Sequence, residues 1–326
     1  MKIGLDVFTI RELNLDSFGQ LDYARNHNFD GVQFDDLYSM TDTLDIGKLK
    51  AIKSYADELG LYSYVSISAC NPNYHNDTAE NVTARLAKEI EDVAKAGWHE
   101  LRSIIGGVDE RYSHPVPWPK HIEDSMRVIE KLRPILRENA SRINLETHGD
   151  TTTFELIRMI ETVGPDILGI NLDTANVLVH AEDPVAAAKR AAPYTHLTHA
   201  KDGIVFLSER GIVRQGRPPG QGVIEWEKVL PVLAYFSPDL PLSIEDHKWL
   251  FEIPVFDEQW NMTHREIPAN EITNLIKRAI GFQKKIDNGD LPKPDAYEAI
   301  PYLEQMEERL CSGRDYLAGL LKKTGL

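Results

Sequence analysis

The sequence predicts an α/β protein built as an eight-stranded parallel β/α barrel with a C-terminal helical extension. Three observations carry this reading. Eight short strand-like apolar runs recur along the chain, and helix-period segments lie between them almost from end to end. The first strand is followed by Phe8-Thr9-Ile10-Arg11, which has no glycine. A doubly wound sheet, the main alternative, usually carries a Gly-rich phosphate turn there.

The strand candidates, in order, are Ile3–Val7, Gly31–Phe34, Tyr62–Ile67, Glu100–Ile105, Arg142–Glu146, Leu168–Asp173, Thr195–His199 and Leu242–Glu245. The intervening helices show in patterns such as Val82, Leu86, Ile90 and Val93, with Gly97 where a C-cap belongs. Residues 1–286 are expected to form the barrel and residues 287–326 the extension. Two segments exceed a minimal barrel. Trp249–Pro268 holds Trp249, Phe251, Phe256 and Trp260, and reads either as a lid or as a loop packed on itself. The tail from Asp290 carries Ile300, Leu303, Met306 and Leu310 at helical spacing, which suits a cover for the barrel or an interface with another chain.

The chain has 326 residues, with 36 Lys and Arg against 51 Asp and Glu, a formal charge of −15. Nucleic-acid binding needs a basic footprint, and this balance argues against it. Cys70 and Cys311 form no CxxC pair and no disulfide framework, which fits a reducing cytoplasm. Met1-Lys2-Ile3-Gly4-Leu5-Asp6 does not read as a signal peptide. No run approaches the ~20 apolar residues of a membrane helix. A cytoplasmic protein without membrane contact is expected.

The chemistry is concentrated at the ends of four consecutive strands. The fifth ends Asn144-Leu145-Glu146-Thr147-His148, the sixth Asn171-Leu172-Asp173, the seventh Leu197-Thr198-His199 and the eighth Ser243-Ile244-Glu245. In a β/α barrel the C-terminal mouth holds the active site. Period-two alternation places Asn144, Glu146 and His148 on one face and Ile143 and Leu145 on the other. The same parity joins Asn171 with Asp173 and Ser243 with Glu245. On the seventh strand an inward His199 leaves His196 and Thr198 facing the helices. Three carboxylates and one imidazole aimed at one point repel unless a cation neutralises them. Glu146, Asp173, His199 and Glu245 are therefore candidate ligands of one divalent metal ion. Oxygen-rich ligands with one nitrogen favour manganese or magnesium, with cobalt, zinc or iron as further options.

The stretches Ile143–Gly149, Gly169–Thr174, His199-Ala200-Lys201-Asp202 and Gly220-Gln221-Gly222-Val223-Ile224-Glu225-Trp226 resemble the xylose-isomerase-like TIM barrels. This is the sugar phosphate isomerase/epimerase superfamily, which shares the endonuclease IV fold. The resemblance spans roughly residues 1–286. It implies a single metal held by Glu146, Asp173, His199 and Glu245, the set that alternation reaches independently, and an acid/base pair at Glu146 and Glu245. Ketose 3-epimerases of the superfamily place a substrate-contacting His where this chain has Asn176, which argues against plain ketose epimerisation. Glu146-Thr147-His148 is similar to the catalytic subunit of C-glycoside deglycosidases, which cleave 3-oxo-glycosides with a metal and a His base and pair with a small second subunit. A homo-oligomer, or a hetero-oligomer with such a subunit, is expected. Endonuclease-type repair is disfavoured by the charge and by the smaller ligand set.

The implied reaction is proton abstraction next to a carbonyl of a carbohydrate or glycoside, giving an enediolate. His148 suits the base, with Glu146 and Glu245 as alternatives. Epimerase, isomerase and lyase outcomes share this first step. Asp35, Asn176, Lys201 and His247 are candidate substrate contacts. Asp35 equally suits an N-cap, and Lys201 a salt bridge to Asp202 or another carboxylate. The loop Gly106–His121 offers Tyr112, His114 and Trp118 for stacking. Arg210, Arg214 and Arg217 read as a solvated polar loop more readily than as a phosphate grip. The competing class is a non-catalytic, metal-stabilised sugar-binding or assembly subunit.

Overall fold

The computed structural model describes residues Met1–Leu326. Its strands are β1 (Lys2–Asp6), β2 (Gly31–Phe34), β3 (Tyr62–Ser66), β4 (Glu100–Ser103), β5 (Arg142–Glu146), β6 (Leu168–Asp173), β7 (Thr195–His199), β8 (Asp202–Leu207), β9 (Ile212–Arg217), β10 (Pro241–Ile244) and β11 (Leu250–Ile253). Eight of them close a barrel in the order β1-β10-β7-β6-β5-β4-β3-β2, with every neighbouring pair parallel. All eight expected runs are barrel strands.

Alternation sorts the side chains as expected. Ile143, Leu145, Ile170, Leu172, Leu242 and Ile244 join the buried apolar cluster beneath the helices. The interior is polar and layered. Tyr62 spans it to Ser243, Oη to Oγ 3.0 Å, and Asn144 donates to Glu100 at 2.8 Å. Two glycines make room for that tyrosine: a Cβ on Gly4 would sit 2.0 Å from its hydroxyl, and one on Gly31 would sit 2.2 Å from its ring.

The seventh strand departs from simple alternation. Its register with β6 runs Ile170 to Thr195 and then Asn171 to Leu197, so His196 is the extra residue of a bulge. His196 does not face the helices. It lies beside Gly169, where a Cβ would come within 2.6 Å of its ring. Beyond the bulge the register pairs Asp173 with His199, two candidate ligands at one height.

The segment after β7 is not a solvated loop. Asp202–Leu207 and Ile212–Arg217 form an antiparallel hairpin, and β11 adds to it in the order β11-β9-β8. Arg214 and Arg217 are each 3% exposed on β9, and only Arg210 at the turn is solvated. Trp249–Pro268 is likewise no free loop. It supplies β11, then the short helix Glu258–Thr263, whose Trp260 is buried and stacks on His264 at 3.8 Å between ring centres. Asp202 anchors the root of the hairpin by accepting from the N–H groups of Gly220, Gly222 and Ile224 and from the Trp226 indole. A Cβ on Gly222 would fall 2.0 Å from the Asp202 carboxylate, which explains the second glycine of that stretch.

The C-terminal helix Tyr302–Thr324 packs on the barrel through Met306, Leu310, Leu317, Leu320 and Leu321, while Ile300 and Leu303 are exposed.

Candidate metal centre and catalytic mouth

Glu146, Asp173, His199 and Glu245 each offer one donor atom, and those atoms lie within 4.8 Å of one another. All four residues are buried. Each is held so that one donor stays free. Asp173 Oδ1 accepts from the N–H groups of Ala175 and Asn176, both at 2.9 Å, leaving Oδ2 turned inward. Glu146 Oε2 takes Arg102 Nε at 2.7 Å, leaving Oε1. Glu245 Oε1 takes Lys201 Nζ at 2.8 Å, leaving Oε2 facing His199 Nδ1 at 2.7 Å. Glu146 Oε1, Asp173 Oδ2 and His199 Nδ1 are buried without a hydrogen-bond partner.

His199 is fixed from its far side. Its Nε2 lies 2.6 Å from the Gln33 amide and 3.3 Å from Asp6 Oδ2. Gln33 Oε1 is itself buried and unpartnered. Turning that amide by 180° makes it an acceptor for Nε2–H, which leaves the Nδ1 lone pair aimed at the carboxylates.

The electrostatics agree with a cation at this point. Two carboxylates ~4 Å apart repel by ~4 kcal/mol even at an effective dielectric of 20. Burial works to raise Glu146, but Arg102 and His199 outweigh it and hold the carboxyl below its ordinary range. Burial likewise opposes the charge on Glu245, and Lys201 and His199 win. Asp173 is raised, because burial there exceeds the help from Lys201. Burial disfavours charge on His199, yet Glu146, Glu245 and Asp6 draw its pKa up. The field that draws a proton to this imidazole draws a divalent cation to the same place. Around the mouth stand the carboxylates of Asp6, Asp35, Glu146, Asp173 and Glu245 and the permanent cations Arg102, Lys201 and Arg214. The balance is two negative charges. The four-residue cluster fits a divalent metal ion in donor type, in geometry and in charge.

The other expected residues separate. His148 is half-buried at the mouth, and its Nδ1–H donates to the Gly106 carbonyl at 3.0 Å. That bond fixes the tautomer with the Nε2 lone pair free. Lys201 bridges Glu245 and Asp173, at 2.8 and 3.3 Å, and does not pair with Asp202. His247 lies 3.2 Å from Glu245 Oε1, with Phe8 and Trp249 against its ring, and burial pulls its pKa down to about 4. Asn176 is buried, and its Oδ1 accepts from Arg214 at 2.9 Å. Asp35 is no N-cap, a role taken by Asp36; it pairs with Arg102 at 3.0 Å. Trp118 and His114 are tied into the protein, the indole to Glu155 and the imidazole to His121. Tyr112 reaches the covering segment, with its hydroxyl 3.2 Å from His264 Nε2.

Alternation alone would have found two further members. Asp6 shares the parity of Gly4 at the end of β1, and Arg102 that of Glu100 on β4. Arg214 had no such signal, because its strand looks like a charged loop until it pairs with β8 and β11.

Comparison with known proteins agrees with this fold. The family described as xylose isomerase-like TIM barrel matches residues 21–254. A curated relative, the uncharacterized protein YihM of Escherichia coli (strain K12), is 21% identical over 225 residues, which are 68% of this chain. The chain spans 63% of that relative's length. A D-psicose 3-epimerase of Clostridium cellulolyticum H10, solved with D-tagatose, superposes with a TM-score of 0.63 at 15% identity, covering 88% of this chain and 99% of that one. The 3-keto-D-glucoside 4-epimerase YcjR of E. coli gives 0.57 at 14% identity, covering 84% and 98%. With its closed barrel, its strand-end donor set and a family match over most of its length, the chain belongs to the xylose isomerase-like TIM barrels.

Proposed function

We propose that the protein is a divalent-metal-dependent enzyme that removes a carbon-bound proton next to a carbonyl of a sugar or oxo-sugar derivative. The observation that carries this is the convergence of three buried donor atoms that make no hydrogen bond, on Glu146, Asp173 and His199, with Glu245 beside them. The residues that would hold the ion are these four, and manganese is the first choice by donor type. When bound, the ion supplies Lewis-acid polarisation of the substrate's carbonyl and charge stabilisation of the deprotonated form.

The protein's own groups divide the remaining work. His148 takes the proton at Nε2, because the Gly106 carbonyl holds its other nitrogen protonated. Glu146 and Glu245 are poor bases, because each also pairs with a permanent cation, Arg102 on the first and Lys201 on the second, which favours the ionised carboxylate. Lys201, His247, Asn176 and Asp35 surround the place where substrate oxygens would lie. Segment Trp249–Pro268 would restrict water at the mouth through Phe251, which lies near Arg214 and Gly149. Residues 1–286 form the catalytic unit in this reading, and 287–326 brace it.

The side chain at position 176 favours an oxo-glycoside over a free ketose. It is an amide engaged by Arg214, where ketose epimerases of the family carry a histidine. The structural neighbour that acts on a 3-keto-D-glucoside supports the same direction. The test is deuterium exchange. Protein loaded with Mn²⁺ is incubated in D₂O with ketoses and with 3-oxo-glycosides, and NMR reads the carbon next to the carbonyl. Label on that carbon is expected, and the accompanying product distinguishes epimerisation, isomerisation and elimination. A sugar that binds without taking label would make the protein a binding subunit.

A further inference from the structure

Arg214 is the permanent cation of the mouth that has no carboxylate partner. Arg102 pairs with Asp35 and Glu146, and Lys201 with Asp173 and Glu245. Arg214 is 3% exposed and makes one hydrogen bond, from Nη1 to Asn176 Oδ1, while its Nε is buried without a partner. A guanidinium has five N–H donors, and burying them unused costs several kcal/mol. An amide acceptor orients this group without neutralising it.

The hairpin is built to deliver this side chain. Gly216, two residues on, lies so close to the segment after β10 that a Cβ there would sit 2.2 Å from the His247 carbonyl. On the β11 side the Phe251 ring centre is 5.8 Å from Arg214 Cζ. The same ring comes within 3.7 Å of where a Cβ on Gly149 would be, and Gly149 follows His148. Arg214 and the residue that follows His148 therefore flank one aromatic ring. The guanidinium lies close enough to Asp173, Glu245, Lys201 and His247 for its charge to act on all of them.

With a divalent ion added, the charges of the mouth sum to zero. A neutral sugar then enters a neutral site. The charge that must be matched is the one that appears on substrate oxygen when the carbon-bound proton leaves. A planar fork with free donors suits two adjacent oxygens sharing one negative charge.

We propose that Arg214, oriented by Asn176, is a substrate-contacting residue that binds the oxygen pair of the deprotonated, enediolate form of an α-hydroxycarbonyl sugar. This rests on the proton-abstraction reading above, and it adds a cation that is absent from the strand-end set. It also gives Asn176 a purpose: the residue holds the arginine in place.

The test uses glycolohydroxamate, a planar anionic mimic of an enediolate, titrated into Mn²⁺-loaded protein by calorimetry. Metal affinity and melting temperature are measured on the same samples. Wild type is expected to bind the hydroxamate. Arg214→Met should bind it ~10-fold or more weakly with Mn²⁺ affinity undiminished, since charged hydrogen bonds to the ligand are lost while a positive charge near the metal ligands is removed. Arg214→Lys should fall between, because the charge stays and the fork is gone. D-Fructose, which is neutral, should lose less affinity than the hydroxamate. Equal hydroxamate affinity in wild type and Arg214→Met overturns the inference, as does a wild type that holds Mn²⁺ and ignores the hydroxamate. Neither readout needs turnover. Failure of deuterium exchange with an intact Arg214 effect would count against the proposed reaction alone.

Discussion

Arg309, on the last helix, reaches back to the eighth barrel strand and grips Asp246 at two points, Nε to Oδ2 at 2.7 Å and Nη2 to Oδ1 at 2.5 Å. Asp246 is the neighbour of Glu245. The same segment is held by Tyr302, whose hydroxyl donates to the Asp246 carbonyl at 2.7 Å, and by Thr9, whose Oγ accepts from the Asp246 N–H at 3.0 Å. The C-terminal extension thus fixes the strand end that carries one candidate ligand.

Breaking that pair leaves a buried charge alone. Arg309→Met is expected to destabilise the protein by ~3–5 kcal/mol, the usual cost of removing one partner of a buried ion pair. Deleting residues 290–326 should be worse, since it also uncovers the apolar barrel surface on which Met306, Leu310 and Leu317 pack. Urea unfolding checks both, and an Arg309→Met midpoint equal to wild type would reduce the pair to a surface-like contact.

Purified protein should hold about one divalent ion per chain. Glu146→Gln, Asp173→Asn and His199→Ala should each lose it, because each removes a donor from a set whose charge balance requires it. Saturating metal should raise stability by ~2.7 kcal/mol at 100 times its dissociation constant, and a chelator should remove that gain. Elemental analysis of the three variants decides: full occupancy in all of them rejects the ligand set.

His148→Gln should keep the metal and lose ~10²–10⁴-fold in turnover, the usual loss for a general base. A residue that only steadied Glu146 would instead weaken metal affinity, and added Mn²⁺ would restore the rate. Rate against metal concentration separates the two roles.

The covering segment should loosen in acid. Burial, then the nearby Arg111, presses the pKa of His264 down to about 3. An unfolded histidine titrates near 6.5. A depressed imidazole gives stability that is complete above ~6.5 and is lost as pH falls toward the folded value, by at most ~1.4 kcal/mol per pH unit. Urea midpoints should therefore drop between pH 7 and pH 5, and His264→Gln should flatten that drop. Identical slopes in the two proteins would place the acid sensitivity elsewhere, with His180 and His247 the next to substitute.

Much of this protein could be read before folding it. The eight barrel strands follow from short apolar runs alternating with helical periods, and that pattern reports burial, which is local in sequence. Glu146, Asp173 and Glu245 are legible for the same reason: on a strand, parity alone decides which face a side chain takes, and the opposite face is aliphatic. His199 needed more. Its parity is reset by the bulge at His196, and a bulge is a property of the pairing between β6 and β7.

Tertiary structure decided what lies between those strands. Ile212–Arg217 carries two arginines, a glutamine and a glycine, and reads as a loop until β8 and β11 satisfy its backbone on both sides. Only then is Arg214 buried beside Asn176. Arg309 and Asp246 are 63 positions apart, and no local pattern joins them. The sequence by itself determined the barrel and the strand-end donors, because alternation and periodicity act over a few residues. The partner of each charge was decided by the fold, because which distant groups meet depends on closing the chain around the mouth.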